Sequence, residues 1–108
     1  MSIFGAKPRP VDLHRVLVGI RPTWGEASAG TLLVLILATD EPTACKRARE
    51  VAHALPCKVD SKVTAITAAD LRAAVSTNRA VAGALPAMED IARHNGLAVL
   101  LVPTALRE

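Results

Sequence analysis

The longest unbroken apolar run in the chain is TLLVLILA, residues Thr31 to Ala38. A bilayer-crossing helix needs about 20 apolar residues, so this shorter run, rich in Leu, Ile and Val, reads as a buried central strand. A strand apolar on both sides of its pleat needs cover on both faces, and the rest of the chain is patterned to supply it. Upstream, Val16, Leu17 and Val18 favour a first strand over Arg15 to Ile20, and the Gly- and Pro-bearing stretch 21–30 makes a loop between the two. Downstream, Asp40 is placed to cap a helix that tolerates Pro42 in its first turn. In that helix Ala44, Ala48, Val51 and Leu55 fall on one face and Lys46, Arg49, Glu50 and His53 on the other, before Pro56 closes it.

Val59, Val63 and Ile66 mark a third strand, and Thr67 with Asp70 has the form of a capping box that opens a short helix to about Val75, with Leu71 and Val75 inward. Ser76-Thr77-Asn78 offers a second N-cap. The stripe Val81, Leu85, Met88 and Ile91 crosses Pro86, which predicts a kinked helix or two abutting helices as far as about His94, stopped by Asn95-Gly96. Leu97 to Val102 forms a last strand, apolar on both sides, which Pro103 keeps from extending within a ladder. At a sheet edge such a strand needs covering, and pairing in a homodimer is one way to cover it. The expected order is strand, strand, helix, strand, helix, helix, strand. The fold class is α/β: one domain over residues 11–108, with a mixed sheet of about four strands packed by three or four helices. Residues 1–10 carry Gly5, Pro8 and Pro10 with Lys7 and Arg9, a basic extended arm.

Composition refines this picture. The 108 residues are 51% hydrophobic but only 2% aromatic, so the core is assembled from Ala, Val, Leu and Ile. Net charge is +3, and the segment from Thr43 to Lys62, with five basic residues (Lys46, Arg47, Arg49, Lys58, Lys62) and two acidic ones (Glu50, Asp60), accounts for that excess. A surplus of this size attracts an acidic protein, and nucleic acid is a further option, although it is small beside what a dedicated DNA binder must neutralise. Cys45 and Cys57 have no CxxC spacing, and Cys45 falls toward an apolar helix face, where a buried thiol is expected. The start MSIFGAKPRP has no apolar core behind its charges, which argues against a secretory signal and for a cytoplasmic, bacterial setting without membrane contact.

The motifs of strong catalytic meaning are absent: there is no Walker-type loop, GxGxxG, HExxH or GxSxG, and His14, His53 and His94 are isolated in sequence. No cofactor, metal site or catalytic set is indicated. RVLVGIRPTWGEASAGTLLVLILATDEP, with the later KVDSKVTAITAADLR, resembles the core of the minimal nucleotidyltransferase family, in which a strand ends in a Gly-Ser-x-Arg type turn and the next carries paired aspartates. The resemblance spans residues 15–75 as element order and apolar pattern. Gly19 and Arg21 match parts of the turn, but Ile20 stands in place of the phosphate-binding Ser, and GTLL (residues 30–33) stands in place of the paired acids. Asp60 corresponds to the third carboxylate. Leucine cannot hold the divalent cations that such chemistry needs, so the resemblance implies the fold without the activity. Asp60-Ser61-Lys62, with Asp40 as a distant carboxylate, has the D-x-K spacing of metal-dependent nucleases.

Trp24, between Arg21 and Glu26, is either a contact anchor or a lid over one end of the sheet. The sequence thus points to a non-enzymatic binding or regulatory module that contacts another protein through the loop 21–30 and the basic face 46–53. Its candidate residues are Arg21, Trp24, Lys46, Arg47, Arg49 and His53. The alternatives are a nucleotide- or phosphate-binding protein, and a nucleic-acid regulator using Lys7, Arg9, Lys46, Arg47, Arg49 and Lys58.

Overall fold

The computed structural model describes residues 10–22, 30–55 and 57–102. Its elements are β1 (Asp12–Pro22), β2 (Gly30–Ala38), α1 (Glu41–His53), β3 (Cys57–Ile66), α2 (Ala68–Ala74), α3 (Arg79–Asn95) and β4 (Leu97–Val102), in the order the sequence predicts. The first strand begins three residues earlier than its apolar pattern suggests, because Asp12, Leu13 and His14 pair with Ala38, Leu37 and Ile36 at the far end of β2.

The four strands lie in the order β3-β1-β2-β4. Every described pairing is antiparallel, which corrects the expected mixed sheet. The reason is topological. The α1 crossover leads from β2 into β3 running the same way, as helical crossovers do, but β1 lies between those two strands and pairs antiparallel with both. The β1–β3 ladder is irregular between Val18 and Ile20, where β3 contributes the longer stretch.

Side chains alternate to the two faces of this sheet. Val16, Val18, Ile20, Leu32, Val34, Ile36 and Ala38 pack under α1. Leu17, Leu33, Leu35, Ile66, Ala98 and Val102 pack against α2 and α3. Strand β2 is buried on both faces, which is why its sequence is apolar without alternation.

Three side-chain caps start the helices. The Asp40 carboxylate accepts from the Thr43 amide at 2.8 Å, Thr67 Oγ1 accepts from the Asp70 amide at 3.1 Å, and the Asn78 side-chain oxygen accepts from the Val81 amide at 3.2 Å. Helix α3 ends at Gly96, whose φ of 86° is left-handed and whose N–H reaches the Ala92 carbonyl at 2.7 Å. Pro86 neither breaks this helix nor divides it: α3 is continuous over 17 residues. Pro86 and Ala82 are both exposed, so the carbonyl left without its Pro86 donor lies on the wet side, where water can satisfy it.

Two inward assignments shift. In α1 the fully buried positions are Ala44, Ala48 and Ala52; Val51 is half-buried, and Leu55, past the end of the helix, is 39% exposed. In α3 the buried stripe is Val81, Leu85, Met88 and Ala92, and Ile91 is 48% exposed. In both helices an alanine takes the place that the larger residue was expected to fill.

Candidate functional site

The charged residues of α1 are placed by its alanines. With Ala44, Ala48 and Ala52 against the sheet, a rotation of about 100° per residue puts Lys46, Arg49 and His53 together on the outer surface. Arg47 projects from the opposite flank, and Glu50 interrupts the outer surface with one carboxylate. Lys46, Arg47, Arg49, Glu50 and His53 are all exposed. His53 closes the helix, and the chain then turns into β3 at Cys57, followed by exposed Lys58.

Lys58 stands directly across the β1–β3 ladder from exposed Arg21. Like charges opposite one another on a sheet oppose pairing, so this juxtaposition favours an anion nearby. At this end of the sheet Ile20 and Val59 pack on the α1 side, so alternation along both strands sends Arg21 and Lys58 to the opposite face, away from the basic surface of α1; the fold does not bring Arg21 together with Lys46, Arg49 and His53. Among the described residues, the ion pairs are Arg15–Glu89 and Arg93–Glu89, and none includes Arg21, Lys46, Arg47, Arg49 or Lys58. Trp24 and the basic arm with Lys7 and Arg9 lie outside the described residues.

The opposite end of the sheet holds an open cleft of about 340 Å³ lined by Leu13, His14, Arg15, Glu41, Ala65, Ile66, Thr67 and Ala68. Its polar groups are largely engaged. His14 Nε2 lies 3.2 Å from the Ala38 carbonyl, to which it donates, and Arg15 donates to Glu89 Oε2 at 2.5 Å. No group of three or more His, Cys, Asp or Glu able to hold a metal occurs among the described residues. The D-x-K pairing does not assemble. Asp40 caps α1 beside the end of β2, whereas Asp60 lies in β3 next to Val59, which pairs with Ile20 at the other end of β1. Of the turn that resembles the nucleotidyltransferases, Gly19 and Ile20 are strand positions, opposite Thr31 and Gly30 in the β1–β2 ladder.

Cys45 is half-buried beside the core under α1. Burial pushes its thiol above its ordinary range, with a smaller push from the Glu41 carboxylate and an opposing pull from Arg49. A thiol so placed is a poor nucleophile at neutral pH. No helix among the described residues is long and apolar enough to cross a membrane. No family model matches the chain, and neither a curated protein nor a solved structure matches it.

Proposed function

We propose that the chain is a non-enzymatic binding module that docks an acidic protein surface on Lys46, Arg49 and His53 of α1. The observation that carries this reading is the cluster of exposed Lys46, Arg49 and His53 on the outer surface of α1, none of them in an ion pair among the described residues. An acidic partner gains from this unpaired charge. The open cleft supports catalysis less well, because its imidazole and guanidinium already serve the fold.

The test is a pull-down with the full chain and with Arg49→Glu and Lys46→Glu variants. Arg49 and Lys46 are exposed, so both variants should fold. The expected result is an acidic protein captured by the parent at low salt and lost with either charge reversal. Retention of every captured protein by both variants would remove this surface from consideration. Random double-stranded DNA provides the contrasting arm: tight, steeply salt-dependent binding to it would favour the nucleic-acid reading over the protein one.

A further inference from the structure

The two edges of the sheet are not alike. The outer strand β3 carries exposed Lys58 and Lys62 and meets β1 through an irregular ladder, two devices that discourage a further strand from adding. The other outer strand, β4, pairs regularly with β2 from Thr31–Val102 to Ile36–Leu97, and its six residues, LAVLLV, contain no charge and no proline. Among the described residues its second edge has no strand partner. Helix α1 packs over β3, β1 and β2, so the α1 side of β4 is left bare, with Val99 37% and Leu101 40% exposed.

On the opposite face, the Arg15–Glu89 ion pair orients α3. Arg15 belongs to β1, so Glu89 marks the flank of α3 that looks inward across the sheet. By helical rotation from the buried stripe of Val81, Leu85, Met88 and Ala92, the other flank is formed by Ala80, Ala84, Ala87 and Ile91. That flank overhangs the edge of β4. It is uncharged, made of small residues beside one exposed Ile, and lies directly above an uncharged, unguarded strand edge.

We infer that this edge is a self-association surface: β4 pairs antiparallel with β4 of a second copy about a twofold axis, making a continuous eight-stranded sheet across which the two α3 helices meet along their alanine flanks. A twofold interface sets a patch against itself, so it must be free of like charges, and both the strand and the helix flank satisfy this condition. Small side chains allow the two helices to approach closely. An added peptide strand would satisfy the backbone of β4 but leave the α3 flank uncovered, whereas a second copy covers strand and helix together. The interface is separate from the basic surface of α1, so a dimer presents two copies of that surface outward.

Sedimentation velocity on the full chain across micromolar concentrations tests this, with Leu101→Lys and Ile91→Glu as variants. Both positions are exposed in the single chain, and thermal melts by circular dichroism verify that the variants are folded. The expected result is a dimer for the parent and at least a tenfold weaker association for each variant, since each change puts a charge of the same sign from both copies into an uncharged interface. A parent that stays monomeric at about 100 μM, or folded variants that dimerise as tightly as the parent, would overturn the inference. So would a monomer that mass spectrometry shows carrying a bound peptide, which would assign the edge to strand addition by a different chain.

Discussion

Against β1 and β2, α1 presents Ala44, Ala48 and Ala52, whereas α2 and α3 present Leu71, Val75, Val81, Leu85 and Met88 to the other face. On the α1 side nearly all of the core volume comes from strand side chains such as Ile20, Leu32 and Ile36, so the helix backbone lies close to the sheet. On the α3 side helix and strand contribute volume jointly. The first arrangement tolerates no enlargement of the helix, and the second is damaged by trimming either partner. The contrast also explains why α1 can give its remaining positions to charge: three small residues suffice to seat it.

The largest effect is expected from Leu33→Ala, which removes a fully buried side chain from β2 and leaves a cavity against the α3 layer. Urea denaturation should show a loss of about 2–5 kcal/mol. On the α1 face the damaging change runs the other way: Ala48→Leu should cost about 1–3 kcal/mol by overpacking, measured in the same way. A neutral Ala48→Leu would mean that α1 is loosely seated and would break the comparison. The smallest effect concerns Cys45, where the sign can be worked out. Its thiol is raised above its ordinary value in the folded chain, so its contribution to stability is complete below that ordinary value and is lost as pH rises through the raised one. In a Cys57→Ser background, stability measured at pH 7 and pH 10 should fall more with Cys45 present than in Cys45→Ala. An equal fall in both would show that burial under α1 does not govern the thiol.

The parts of the fold that were legible are those set by local chemistry. Asp40, Thr67 and Asn78 each announced a cap through a short acceptor side chain before a helical pattern, and Gly96 announced a left-handed stop. The apolar run of β2 marked the strand that is covered on both faces. The packed faces of the helices were read less accurately. Leu55 and Ile91 outweigh Ala52 and Ala92 in any count of hydrophobicity, yet a close-packed surface favours the residue that fits. Strand order was not legible, because neither the placement of β1 between β2 and β3 nor that of β4 beside β2 follows from local pattern. The same applies to the candidate residues: the basic run on α1 was visible as a pattern, but that Arg21 stands opposite Lys58 on the other face of the sheet follows only once the ladder register is set.

The pairing of β4 with β2 bears on the order in which the chain acquires its structure. β1 and β2 form a hairpin, and β3 joins it after one helix, but Leu97 must return to Ile36 across roughly sixty residues before the last ladder can close. Until then the most apolar strand of the protein has one unpaired edge, as α1 and β3 are already able to assemble on the other side. As the chain leaves a ribosome, that interval is when β2 is most exposed to capture by another nascent chain, and β4 acts as the segment that ends it.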